Sequence, residues 1–441
     1  MDWDLEKDFN LPRNKDGKYV INDEYIKKQL ENTADGITGA GELNVSFILE
    51  GLCGMDVSEF DMSDLSLENF RLLTFDSETT FSEEQIEKFH PDKIIEEGIG
   101  FHGTESLYNE GINGEGTTIA MMDTCFNSSI EEYEGKIIEH KVIEKVNGQV
   151  VIRDYEEKDG NNHHGETTAS FAAGKECGVA PNAKLILFGV KMDSWTDNKV
   201  AWEESEEAML KHIKEETDKT EDGKFKTPDI ISISADIKST DEANQIKKEL
   251  DEKGCTLIAS KEFWKDFRWG RISDDGKTVV PHELTEIIFD DSKEYDEKSK
   301  VMELKKNKDV AIIPCTGRTC TKIGKNGNQE YKYNGSFCGA SFAIPQIAGL
   351  FLLGRQIDPS IKYNEFIKIL NNPNRINQRG ERYVGVENLV EEIKERPLKE
   401  KSVLNSAIEA TEENTRTGEI QNSSQNIRSV ARENGNIAIE K

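Results

Sequence analysis

The stretch Cys338–Gly349, CGASFAIPQIAG, decides how the rest of the chain is read. Small residues lead into Ser341. A short apolar run follows, with Pro345 inside what reads as a helix. Proline disrupts a helix interior because it lacks a donor and clashes with the preceding turn. In the first turn it is tolerated, since those N–H groups have no partner within the helix. The stretch therefore predicts a helix over Ser341–Ile357, with the Ser341 hydroxyl at its positive end. A serine there is placed as a nucleophile if the chain supplies a base. With nothing else in the chain, it would read as a helix N-cap.

The bulk numbers set the frame. The 441 residues suffice for one large domain with additions. Acidic residues outnumber basic ones, 85 to 56, for a net charge of −29. That balance argues against nucleic acid and anionic membranes as partners, since both attract basic proteins. It leaves peptides and proteins, basic ones included. The N-terminus, MDWDLEKDFNLPRNKDGKYV, shows neither a basic region nor an apolar one of the secretory kind. No run approaches a membrane span. Seven scattered cysteines show no CxxC pair and read as reduced thiols. A cytoplasmic protein is the expectation.

Three regions follow from the pattern. Residues 1–91 are acidic and weakly patterned, with a short helix expected near Leu67–Leu73 behind a Ser66 N-cap. Residues 92–396 alternate apolar runs with amphipathic segments. Strands are expected at Thr117–Asp123, Ala183–Val190, Pro228–Ser234, Cys255–Ser260 and Asp309–Cys315. Helices are expected at His164–Gly174, Val200–Glu216, Asp241–Lys253 (stopping at Gly254) and Ser341–Ile357. Such alternation predicts an α/β architecture, a mainly parallel sheet with helices on both faces and a ligand site beyond the strands' carboxyl ends. Residues 397–441 read as a polar tail.

Asp123 ends one expected strand, His164 begins one small-residue helix and Ser341 begins another. A serine hydroxyl becomes nucleophilic when an imidazole takes its proton, and the imidazole needs a carboxylate to orient it. The segments GINGEGTTIAMMDT, HHGETTASFAAGKECGVAPNAKLILFGV and GASFAIPQIAG resemble the aspartate, histidine and serine motifs of the subtilisin-like serine proteases, the subtilases, in that family's chain order. Within that family the chain resembles a divergent bacterial branch without a signal peptide. The likeness implies a subtilisin-like fold over 92–396, a catalytic triad of Asp123, His164 and Ser341, and a peptide or protein substrate. It implies no cofactor. Structural calcium occurs in the family, but no Asp-x-Asp-x-Asp-Gly loop is present here. The N-terminal region admits two readings, a propeptide-like segment or a permanent accessory domain.

The chain departs from the family pattern. Glu166 follows His164-Gly165 where threonine is usual, and reads as a specificity or solvation feature. PDIISISADI resembles the substrate-binding strand, which makes Ser234, Ala235 and Asp236 candidate substrate contacts; Asp236 replaces a glycine and would favour a basic or polar peptide. GCTLIASKEFW lacks the asparagine that completes the oxyanion hole, so Ser260 or Lys261 is the candidate replacement. His163 competes with His164, but the following Gly165 and small residues select His164. Cys315 and Cys320 fit no zinc spacing. The missing asparagine also motivates a rival reading, a pseudoprotease used as a binding or regulatory module.

Overall fold

Seven consecutive buried residues, Thr118–Thr124, form the strand on which the site is built. The computed structural model describes residues 11–40, 52–159, 163–191, 198–219, 226–273, 278–281, 310–324, 326–335 and 339–395. The expected tail at 397–441, Cys338 and the His163 side chain lie outside them. In chain order the helices are α1 (Asp23–Ala40), α2 (Leu67–Phe70), α3 (Glu83–Phe89), α4 (Pro91–Glu97), α5 (Glu105–Asn109), α6 (His163–Ala173), α7 (Asn198–Asp218), α8 (Asp241–Glu252), α9 (Ser260–Asp266), α10 (Ala340–Ile357) and α11 (Tyr363–Leu370). The strands are β1 (Phe75–Asp76), β2 (Thr118–Thr124), β3 (Ile137–Val146), β4 (Gln149–Asp154), β5 (Lys184–Val190), β6 (Ile230–Ile233), β7 (Thr256–Ile258), β8 (Phe267–Ile272), β9 (Val279–Pro281), β10 (Ala311–Thr316), β11 (Arg318–Ile323) and β12 (Gln329–Asn334). Residues up to Glu387 form one compact unit; a second begins at Asn388 and carries a helix at 389–395.

The central sheet has the order β4-β3-β5-β2-β6-β7 and is parallel except for the β3–β4 hairpin. Alternation along the strands assigns their faces. Ala120, Met122, Ile186, Phe188, Ile231 and Ile233 pack with Met209, Leu210 and Ile213 of α7 and with Ala243, Ile246 and Leu250 of α8. The intervening positions, Asp123 and Ser234 among them, face the other side, where α6 and α10 pack. The sheet thus has a helix pair on each face, as an apolar parallel sheet requires. The α8 ends follow from sequence: the Thr240 hydroxyl accepts from Ala243 N at 3.1 Å, and Gly254 past the last turn has φ +87°.

The segment read as one more strand beside these, β10, belongs elsewhere. It pairs in parallel with β8, which pairs with β9, in a separate three-stranded sheet. A third sheet has the order β1-β12-β11, so the N-terminal region contributes a strand to the hairpin preceding Ser341. The Ser66 N-cap holds as read, accepting from Asn69 N at 3.2 Å, over one turn of helix. Arg318 opens that hairpin fully buried. Its guanidinium donates to Gln346 Oε1 (2.8 Å) and to the Cys177 carbonyl (2.7 Å), and lies over the Phe101 and Phe171 rings at 5.6 and 5.2 Å. Burial lowers its pKa to about 10.

Candidate active site

Asp123 sits near the carboxyl end of β2, buried. Its Oδ1 accepts from Thr124 N at 2.7 Å, from the Thr124 hydroxyl at 3.3 Å and from His164 Nδ1 at 2.7 Å. Its Oδ2 accepts from the Thr168 hydroxyl at 2.9 Å. Thr168 stands four residues after His164 and so shares its helix face. A carboxylate held this way is fixed in place, and it fixes the imbalance of the imidazole tautomer: Nδ1 carries the proton and Nε2 is the basic nitrogen. The assignment of that proton follows from the bond, since an ionised carboxylate only accepts.

Small residues let α6 come this close. A Cβ on Gly165 would lie 2.5 Å from the Thr124 carbonyl, and Gly165 N donates to the Thr124 hydroxyl at 3.1 Å. On α10, a Cβ at Gly349 would lie 2.8 Å from the Ala172 carbonyl of α6. The two helices therefore pack almost backbone to backbone, and their N-terminal ends meet. The His164 ring lies 5.4 Å from that of Phe342, the neighbour of Ser341.

Ser341 is the second residue of α10, half-buried, with Gly339 as N-cap. Its hydroxyl donates to the Ser234 carbonyl at 3.0 Å, and the Ser234 hydroxyl donates to the Ser341 carbonyl at 2.9 Å. Pro345 explains the second bond. The helix begins at Ala340, so Pro345 is its sixth residue rather than a first-turn residue as read from sequence. It stands four past Ser341, where an ordinary residue would donate its N–H to the Ser341 carbonyl. Proline has no N–H to give, and the Ser234 hydroxyl takes that place.

The other sequence candidates separate by position. Ala235 is partly buried and its carbonyl accepts from Ser260 N at 3.2 Å; Asp236 is exposed. That bond occupies the Ser260 N–H, so only its hydroxyl is left to donate to a substrate. Ser260 is buried at the first position of α9, while Lys261 is exposed. Glu166 is fully buried, which removes the solvation role read for it: its place on α6 faces the interior. Cys315 and Cys320 are buried thiols, and the Cys315 thiol donates to the Gly270 carbonyl at 3.3 Å. Among the described residues, no group of three or more His, Cys, Asp and Glu could hold a metal ion, and no helix is long and apolar enough to cross a membrane. Sequence reasoning missed Thr168, although its spacing from His164 was available. It also missed the Ser234–Ser341 bonding, which needs two distant segments to be brought together.

The central strand thus carries a buried carboxylate bonded to an imidazole, and the residue after a helix-start serine has its ring beside that imidazole. Residues 114–260, a third of the chain, match the sequence model of the Subtilase family. Ser341 lies outside the matched segment. The chain is 26% identical over 251 residues to Subtilisin-like protease 1 of Arthroderma otae, a match covering 56% of this chain and 45% of that relative. The chain therefore spans less than half the length of the curated relative it matches. Among solved structures it is similar to fervidolysin from Fervidobacterium pennivorans, described as a keratinolytic enzyme related to subtilisin (TM-score 0.42, 15% identity, 65% of this chain and 44% of that one). It is also similar to the PatG macrocyclase domain (TM-score 0.41, 12% identity, 66% and 94%).

Proposed function

We propose that the protein is a serine endopeptidase in which Asp123, His164 and Ser341 act as a triad. The observation that carries the reading is the 2.7 Å bond between Asp123 and His164, its carboxylate further held by Thr124 and Thr168. In the proposed reaction the Ser341 hydroxyl turns about its Cα–Cβ bond from the Ser234 carbonyl towards His164 Nε2. His164 takes the proton as Ser341 Oγ attacks the scissile carbonyl, and Asp123 stabilises the imidazolium. The proton then passes to the leaving amine, and water releases the acyl-enzyme by the same route. Catalytic hydrogen bonds of this kind tighten when substrate is bound.

The developing oxyanion needs donors. As the second residue of α10, Ser341 has an N–H without a helical acceptor. We assign the second donor to the Ser260 hydroxyl. The exposed Asp236 beyond β6 favours a basic or polar peptide segment, in keeping with the net charge of −29. The proposed substrate is narrow, one peptide precursor or one partner protein, since a peptidase that shares its compartment with other proteins must spare them. The test is a fluorophosphonate probe. Labelling at Ser341 that vanishes in Ser341→Ala supports the peptidase, and a folded but unlabelled wild type shows a binding module instead.

A further inference from the structure

The N-terminal region does more than precede the catalytic unit in sequence; it completes the hairpin that leads to the nucleophile. β1 pairs antiparallel with β12, Phe75 opposite Tyr333 and Asp76 opposite Lys332. Lys322 of β11 forms ion pairs with Asp76 and Glu78. The Tyr333 hydroxyl donates to the Arg71 carbonyl at 3.2 Å. From the far side, Thr319 N donates to the Gly98 carbonyl (2.8 Å) and the Thr319 hydroxyl to the Ile95 carbonyl (2.7 Å). Phe70, Phe75 and Tyr333 bury their rings together.

At the end of the hairpin the fit is closest. Gly335 N donates to the Thr74 hydroxyl at 3.2 Å, and Thr74 is fully buried. A Cβ on Gly335 would lie 2.6 Å from the Arg71 carbonyl, so only glycine fits against this backbone. Gly335 precedes Ser341 by six residues.

We propose that residues 71–98 are a retained brace of the catalytic unit, not a removable leader, and that Thr74 is a positioning residue for the Ser341 segment. The argument is one of shared core and paired backbone. A leader that departs must leave behind a unit that is stable with the surface it covered open to water, where freed donors find solvent but apolar rings do not. Losing 71–98 strips partners from the Thr319 and Gly335 N–H groups, bares the outer edge of β12 and exposes Tyr333. An open strand edge of this kind is itself a site for unwanted pairing. The brace holds one end of the segment that carries Ser341, as Ser234 holds Ser341 itself.

This inference rests on the peptidase reading for its catalytic part, and the experiment separates the two. A site-specific protease sequence is inserted at Gly100, where added side-chain atoms meet open space. After cutting, the two fragments are expected to co-elute in native buffer, with Ser341 fluorophosphonate labelling kept at the rate of the uncut chain. Release of the N-terminal fragment with labelling preserved or raised overturns the brace. In the intact chain, Thr74→Val is expected to slow labelling on the order of 10- to 100-fold, the cost of a displaced reacting group, and Thr74→Ser to restore it. Thr74→Val labelled at the wild-type rate overturns the positioning role. A wild type that is never labelled sinks the peptidase reading. Co-elution, and hydrogen exchange over 318–335 in Thr74→Val, then still judge the brace: slow exchange unchanged by the substitution counts against it.

Discussion

Ser234 and Ser341 hold each other through two hydrogen bonds of opposite direction, each hydroxyl donating to the other residue's carbonyl. One bond exists because Pro345 cannot make it within the helix. Ser234→Ala should therefore leave the Ser341 carbonyl without its donor and cost about 1–3 kcal/mol of stability. In a Pro345→Ala background the new N–H can reach that carbonyl, and the same Ser234→Ala change should cost about 1 kcal/mol less. Urea unfolding of the four proteins measures the coupling, and additive costs would show that Pro345 and Ser234 act independently.

The dyad predicts a loss of turnover without a loss of fold. Asp123→Asn keeps the side-chain shape but donates where the carboxylate accepted, favouring the wrong imidazole tautomer. A fall in kcat of about 10⁴-fold is expected on a peptide substrate. A fall of less than tenfold would remove Asp123 from the mechanism.

Gly165 is expected to tolerate no side chain. Alanine there meets the Thr124 carbonyl at 2.5 Å, so α6 must move away from β2 and carry His164 with it. Overpacking of this kind costs about 1–3 kcal/mol. Thermal unfolding should fall and labelling at Ser341 should be lost together; wild-type labelling in Gly165→Ala would contradict the close-packing account.

The oxyanion assignment distinguishes two neighbours. Ser260→Ala should lower kcat on the order of 10²–10³-fold, the usual effect of losing one such donor. Lys261→Ala should leave it unchanged, because that side chain is exposed. The reverse pattern would reassign the donor to Lys261.

Away from the site, His140 makes stability depend on acidity. It stacks on Tyr155 at 4.0 Å, neither ring nitrogen has a hydrogen-bond partner among the described residues, and burial lowers its pKa to about 4, with nearby Asp159 acting the other way. In the unfolded chain it protonates near 6.5. Between those values the unfolded state carries the extra proton, so this group's contribution is intact above 6.5 and is lost as the pH falls towards 4. The loss is at most about 3 kcal/mol. The difference in unfolding free energy between wild type and His140→Phe should shift in favour of the variant over that window, and a pH-independent difference would refute it.

Much of this was legible before any coordinates. β2, β5 and β6 carry near-continuous apolar runs, and α8 has both its cap and its terminal glycine, so the sheet and one covering helix could be read directly. Asp123, His164 and Ser341 stood out because each closes or opens such an element. β8 was hidden: FRWGRI carries two arginines, and the pattern gives no hint that Arg271 is buried and paired with Glu68 of α2 at 3.0 Å. The register of α10 was missed by one residue, which altered the meaning of Pro345. The third sheet was illegible for a different reason. β1 is two residues long, and nothing local marks such a piece as a strand until its partner lies beside it.

The buried Arg318 has a consequence for how the chain assembles. Its guanidinium is neutralised by no carboxylate among the described residues; two acceptors and two aromatic faces, drawn from the segments around residues 101, 171, 177 and 346, must all be present to house it. An intermediate lacking any one of them would hold a cation in apolar surroundings, which is costly. The four segments are thereby obliged to close around it in a single cooperative event, so partial folding here is penalised and stretches far apart in the chain become stable only jointly.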